Sequence, residues 1–342
     1  MSYTVHPRAQ DISKIISDYR RGELCFELDA DHVVRWVQQF NPATQETILE
    51  ETFHVLSNWY FDDLKITEFL KSIVDYLEQK DVSFDNITFW NGQASGKSQS
   101  RLLRKLKGLF PMCNIHVDKE FRTHIIYVDD GLYTGSKIRK EISDMVRNAP
   151  SFVSSIDAFV LVAYSNGLSY TRDVVRNIGN EHGINIRINR YKEVANEKRT
   201  EYSAGGETYT STLGVLWPSR ALGREPLVTE YEKNLTAKGS FPLKYKTHSQ
   251  YTSQIFTSIK QQEVIEQAFL LAGLKILPQS SIAKGLYPLG YDTTPSFGFG
   301  SFCATEFNIS NTCPIVLWWD VGDSWYPLLP RRTTEEELRN FE

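Results

Sequence analysis

The stretch from Thr123 to Arg139 reads T-H-I-I-Y-V-D-D-G-L-Y-T-G-S-K-I-R. Ile125 to Val128 run apolar into two carboxylates, Asp129 and Asp130. A short loop then ends in Thr134-Gly135-Ser136-Lys137, where a helical spacing begins. An apolar run of this length before a loop and a helical period spells a buried strand, a loop and a helix start. A Thr/Gly/Ser loop opening a helix offers backbone N–H groups, hydroxyls and the positive end of the helix dipole, which together suit a phosphate. Two neighbouring carboxylates at a strand end cannot both face the core. At least one is expected to reach solvent, a sugar diol or a divalent cation. A diol beside a phosphate points to ribose 5-phosphate.

Upstream, the period changes from helical to extended at Asn86. Ile87-Thr88-Phe89-Trp90 reads as a short strand, N-G-Q-A-S-G-K-S-Q-S follows from Asn91 to Ser100, and Arg101 to Leu109 reads as a basic helix. This is a second phosphate-type loop. Its Gly96-Lys97-Ser98 tail imitates a Walker A motif, but the first glycine would fall at Asn91, and Gly92 comes one residue late. A P-loop-like NTPase therefore stays only as a minor alternative.

Before this loop the chain reads helical. Apolar spacing of three and four predicts helices over Gln10–Arg20, Asp31–Phe40 with Asp31 as N-cap, Thr44–Tyr60 after Pro42, and Ile66–Glu78. Trp36, Phe40, Trp59 and Tyr60 read as packing residues. After the loop, strands are expected at Asn114–Val117, Ile156–Tyr164 and Ile184–Ile188, with helices at Lys137–Asn148 and Leu168–Glu181, the latter stopped by Gly183. Alternating strands and helices with right-handed crossovers give a mostly parallel sheet, with the ligand loops gathered at the C-terminal strand ends. Lys192 to Lys260 is polar and irregular, a lid or an inserted loop, with a short strand at Gly214–Trp217. A helix over Gln261–Leu271 precedes an aromatic, Gly/Pro-rich ending from Tyr287 to Arg332, suited to packing on a sheet edge or shaping a base pocket. The segments are thus 1–84 helical, 85–192 α/β core, 193–260 polar insertion or lid, and 261–342 helix plus aromatic extension packed on the core.

The 342 residues suffice for a full core, in one large or two modest domains. A net charge of -4 does not suggest a broad nucleic-acid-binding surface. Cys25, Cys113, Cys303 and Cys313 show no C-x-x-C spacing, which fits a reduced, cytoplasmic setting, and no segment approaches the length of a membrane span. The histidines show no H-x-x-x-H spacing, so zinc is not expected, and His124 inside the apolar strand reads as a satisfied core histidine.

Val128 to Ile138 resembles the ribose-phosphate loop of the type I phosphoribosyltransferases: an apolar strand, two acids, a short spacer, then Thr-Gly-x-Thr. Two positions depart from that pattern. Gly131 stands where an apolar residue is usual, and Lys137 where the last hydroxyl is usual. The resemblance implies a type I phosphoribosyltransferase-like α/β fold. It implies that Asp129 and Asp130 hold the ribose hydroxyls of phosphoribosyl pyrophosphate or a nucleotide, with Mg2+ bound indirectly through the substrate. Thr134, Gly135, Ser136 and Lys137 would take the 5-phosphate. The upstream loop falls where that family places its pyrophosphate loop, so Gly92, Ser95, Gly96, Lys97 and Ser98 are the expected pyrophosphate residues.

Taken with W-V-Q-Q-F near the start and F-G-F-G-S, N-T-C-P-I-V-L-W-W and W-Y-P-L-L-P-R near the end, the chain is similar to the phosphoribosyltransferase-like effectors of prokaryotic conflict systems, some of which accompany retron reverse transcriptases. This implies a toxic antiviral effector held in check by partners, a reverse transcriptase or its RNA/DNA product among them. The other open readings are a non-catalytic nucleotide sensor, motivated by Gly131 and Lys137, and a partner-docking module.

Overall fold

A computed structural model describes residues 6–92, 97–118, 120–196, 211–237, 245–246, 251–277, 285–294, 296–320 and 324–331. The chain forms two compact units, residues 63–195 and residues 1–62 with 196–342. These boundaries differ from the four segments read from the sequence: residues 63–84 belong with the sheet, and the two ends of the chain share the other unit.

In the first unit, α1 (Asp63–Gln79) precedes β1 (Ile87–Trp90), α2 (Ser98–Leu109), β2 (His116–Asp118), β3 (His124–Leu132), α3 (Ser136–Asn148), β4 (Ser155–Tyr164), α4 (Ser165–His182) and β5 (Asn185–Val194). The five strands form one parallel sheet in the order β2-β1-β3-β4-β5. All ten residues of β4 are buried, including Ser155 and Asp157, as expected of a largely apolar strand inside a parallel sheet covered on both faces. Ile125 and Tyr127 of β3 and Ile156, Ala158 and Val160 of β4 form one core with Ile138, Ile142 and Met145 of α3 and Leu168 and Val175 of α4. The other face carries Asp157 and Phe159, which meet Tyr76 of α1, and α1 packs on α2. The sheet is therefore wound on both faces. Two elements run longer than their apolar patterns: β3 continues through both carboxylates to Leu132, and β5 reaches Val194. Helix α4 ends at Gly183 in the left-handed region, as read.

In the second unit, the first helices are Pro7–Ile15, Ala30–Val37 and Pro42–Trp59. The N-cap of the second is Asp29 rather than Asp31; its carboxylate accepts from His32 N at 2.8 Å. Pro42 opens the third helix at its first turn, where the missing N–H costs nothing. Gly214–Trp217 is not a strand. The strand lies at Ser211–Leu213, while Leu216 N donates to Gly300 O and Trp217 N to Glu266, so these donors are used outside any ladder. A helix at Pro226–Ala237 was hidden in the polar segment, and the next helix spans Ile259–Ile276. Of the expected lid at 193–260, residues 197–210, 238–244 and 247–250 lie outside the described residues.

The aromatic ending joins the core of the N-terminal helices. Trp318, Trp325 and Phe302 are buried with Trp36, Phe40 and Phe269. The Trp36 and Trp325 indoles both donate to Val316 O, at 3.0 and 2.9 Å. Trp36 is fully buried, so Trp36→Ala removes a large apolar volume and leaves a Val316 carbonyl bond unmade. A loss of roughly 3–5 kcal/mol is expected in urea unfolding; a loss below about 1 kcal/mol would show that the two ends of the chain do not share this core.

Candidate functional site

The connection after β1 leads outward to β2, while that after β3 leads the other way to β4. The strand order therefore reverses between neighbouring strands β1 and β3, the position at which open parallel sheets bind ligands outside their C-terminal ends. Both loops singled out in the sequence leave the sheet here.

Side chains alternate along β3, so the two carboxylates part company. Asp129 shares the face of Tyr127 and turns toward α3, where it is 0% exposed. Its Oδ2 accepts from Lys137 Nζ at 2.7 Å and from the Tyr127 hydroxyl at 3.0 Å, and its Oδ1 accepts from Asp130 N at 3.1 Å. Lys137 bridges the buried carboxylate and solvent, its side chain 49% exposed. Burial works against the ammonium charge, but Asp129 and Asp130 outweigh it and raise the Lys137 pKa. Asp130 faces the other way, toward Ser98 at the start of α2. Burial first, then the Asp129 charge, push the Asp130 carboxyl up to about 7 against the pull of Lys137 and Ser98.

The first loop is closed on itself and tied to β3 beside the acid pair. Gln99 Nε2 donates to Val128 O at 3.1 Å, its Oε1 accepts from Gly92 N at 2.8 Å, and Ser100 Oγ donates to Asn91 Oδ1 at 3.1 Å. Gly92, Lys97 and Ser98 thus stand beside the β3 end, while Ser95 and Gly96 lie outside the described residues.

The loop from Tyr133 to Ser136 is shaped by contacts that its own sequence does not announce. Gly135 is left-handed (φ +73°), and a Cβ there would lie 1.8 Å from Thr171 Oγ1, so only glycine fits. Arg139, one turn into α3, donates to Thr134 O at 2.8 Å, Thr171 Oγ1 at 3.2 Å and Ser136 Oγ at 3.1 Å, and stacks its guanidinium over Tyr170. Arg139 and Thr171 were missed in the sequence because their role comes from the packing of α4 on the loop. The i, i+3 spacing from Ser136 to Arg139 was the one available signal. His124 Nδ1 pairs with Ser155 Oγ at 2.8 Å, away from the two loops, as its reading as a satisfied histidine implies.

An open five-stranded parallel sheet with helices on both faces, an acid pair at the end of β3 and a Thr-Gly-Ser-Lys helix start together carry the phosphoribosyltransferase-like pattern. The model of one family, PRTase-CE, matches residues 33–331. The chain belongs to the PRTase-CE family. A search of the curated proteins finds no match. In this PRTase-CE chain no helix of the described residues is long and apolar enough to cross a membrane, and no group of three or more His, Cys, Asp or Glu among them is placed to hold a metal by itself.

The raised Asp130 carboxyl has a consequence for stability. In the unfolded chain an aspartate titrates near about 3.9, well below its folded value, so the unfolded state loses this proton first as pH rises. The contribution of Asp130 to stability therefore falls between about pH 4 and pH 7 and stays low above that window. Asp130→Asn removes the loss. In urea unfolding the variant should equal the wild type near pH 4 and exceed it near pH 8 by roughly 1–3 kcal/mol; an equal difference at both pH values would contradict the assignment.

Proposed function

We propose that the sheet unit binds a ribosyl phosphate, either phosphoribosyl pyrophosphate or a nucleotide, across the ends of β1 and β3, and acts at C1 of the ribose. The observation that carries this reading is the reversal of strand order between β1 and β3, where the Gln99 amide ties the first loop to the β3 backbone at Val128, next to the acid pair. Asp130 accepts the ribose hydroxyls. Thr134, Gly135, Ser136 and Lys137 take the 5-phosphate at the start of α3, with Arg139 holding the loop in shape. The loop from Gly92 to Ser98, including Ser95, Gly96 and Lys97, takes the pyrophosphate. Asp129 acts behind the site by holding Lys137.

One carboxylate and a hydroxyl suit Mg2+, which is commonly held by one or two carboxylates together with substrate phosphate oxygens. When bound, Mg2+ supplies positive charge against the leaving group. In the reaction, the bond from C1 to pyrophosphate or base breaks, the leaving group departs with the electron pair, and an acceptor nitrogen or water forms the new bond to C1. The protein positions the sugar, neutralises the leaving group and excludes water, and no side-chain nucleophile is required. The sequence resemblance to conflict-system effectors motivates a further role, as the toxic effector of a prokaryotic antiviral system with a reverse transcriptase or its RNA/DNA product as the partner that restrains it.

A second reading has an observation of its own. Because the Lys137–Asp129 pair satisfies one member of the acid pair internally, the site also suits a sensor that binds a nucleotide without turning it over. The two readings separate in cells expressing the full chain with its partner genes, once the system is triggered. Mass spectrometry of nucleotides and small RNAs should show a ribosylated product or a depleted nucleotide with the wild type and not with the folded Asp129→Asn, Asp130→Asn double variant. Identical pools, with purified wild type still binding a nucleotide and Mg2+, would establish the sensor. Unchanged activity in the folded double variant would remove the site assignment altogether.

A further inference from the structure

Lys137, Glu141, Met145 and Asn148 follow one another at helical spacing along a single face of α3. The first belongs to the phosphate loop; Glu141 comes one turn later, about 5.4 Å along the axis. Facing this stripe are Trp90, at the end of β1, and Phe121, whose rings lie 5.3 Å apart at 40°. With Gly92, Asp144 and Met145 they enclose a cavity of about 260 Å³. Its apolar part is Trp90, Phe121 and Met145. Its polar part is Glu141, Asp144 and Asn148, and none of the residues lining it is cationic.

Within this cavity wall, Glu141 Oε2 is buried and has no hydrogen-bond partner among the described residues. A buried acceptor left unmade is costly and is characteristically retained where a ligand completes it. A Cβ at position 92 would stand 3.2 Å from Trp90 Nε1 and 3.5 Å from Glu141 Oε2, so glycine keeps the space between indole and carboxylate open. Among the described residues lining this cavity, an anion finds no positive partner. A planar group with N–H donors along one edge finds aromatic faces and an unmade acceptor.

We propose that this cavity is a nucleobase site for a guanine-type edge. A carboxylate accepts two parallel N–H bonds, and guanine presents its imino and amino donors side by side, while Trp90 and Phe121 supply stacking surface. The volume lies below the roughly 300–1,000 Å³ of sites that enclose a whole ligand, which fits the base alone. The inference rests on the ribosyl-phosphate reading in one respect: the base arrives attached to a ribose phosphate whose phosphate sits one turn away at Lys137.

Calorimetric titration of the purified full chain with GMP, IMP, which lacks the 2-amino group, and ribose 5-phosphate tests it. Wild type should bind GMP at least roughly tenfold more tightly than IMP, the discrimination expected when a site built for a donor is left unpaired. In Glu141→Gln the ratio should fall to about two or less, with ribose 5-phosphate binding unchanged, and Trp90→Ala should weaken GMP and IMP alike. Equal binding of GMP and IMP by the wild type would overturn the proposal, as would a preference that survives Glu141→Gln. Displacement by arginine ethyl ester with no response to GMP would overturn it in favour of a partner's guanidinium. If the Glu141-dependent GMP preference appears while ribose 5-phosphate does not bind, the base site stands and the ribosyl-phosphate reading falls.

Discussion

A carboxylate with no solvent exposure sits at the end of β3, and the geometry around it follows from the need to satisfy its charge. An isolated ionised carboxylate in the interior is far too costly to persist. Asp129 is kept by three donors: the Lys137 ammonium, the Tyr127 hydroxyl and the Asp130 amide. Tyr127 is two residues back on the same strand face and Lys137 is in the first turn of the following helix, so the intervening loop must return the chain to the strand it has just left. That return fixes where α3 starts and forces Gly135 into the left-handed region against Thr171. With Lys137 bonded to Asp129 on one face, the neighbouring Asp130 on the other has a raised pKa, from burial first and then from the Asp129 charge.

The sheet order brings the second loop to the same place. Because β1 and β3 are neighbours with connections leading opposite ways, their ends border an open crevice, and the Gln99 amide bridges it by donating to the β3 backbone and accepting from Gly92. Gln99 is fully buried, so this bridge keeps a polar group from being left unmade inside the protein. The two ends of the Asn91–Ser100 loop are thereby closed on each other, and Gln99 ties them to the strand that carries the acid pair.

Much of this was legible in the chain. β1, β4 and α3 follow from largely apolar runs and from spacing of three and four, and the places where a strand gives way to a helix follow from Gly, Ser and Thr between them. What was not legible depends on partners distant in sequence. The length of β3 was understated because pairing with β4 carries it past the acids, and Asp129 gave no sign that a lysine eight residues on would neutralise it. Arg139, Thr171 and Glu141 act through α3 and its neighbours, which apolar spacing alone does not assign. The aromatic C-terminal residues were read correctly as packing residues but given the wrong partner: composition shows that tryptophans will be buried, not that Trp318 and Trp325 will share a core with Trp36. Asp29 and Asp31 are equally good caps by residue type, and only the position of the first helical turn separates them.

The two positions at which the ribose-phosphate pattern is broken each have a physical counterpart. At Gly131 a Cβ would lie 2.6 Å from the Tyr133 ring, which turns back over the strand and stacks on Tyr164 at 5.2 Å. An apolar side chain and this tyrosine cannot occupy the same space, so the glycine and the aromatic are one exchange. At Lys137 the long side chain spans from the exposed helix start to the buried Asp129, which it meets at 2.7 Å. Losing one hydroxyl donor at the phosphate loop is offset by a cation whose attraction to a carboxylate at 2.7 Å is strengthened by the low dielectric around a fully buried oxygen. Both departures preserve the path of the chain around a phosphate-sized turn. What they alter is the setting of the acids: Asp129 becomes part of the frame, and on the proposed function Asp130 is the one that meets a ligand.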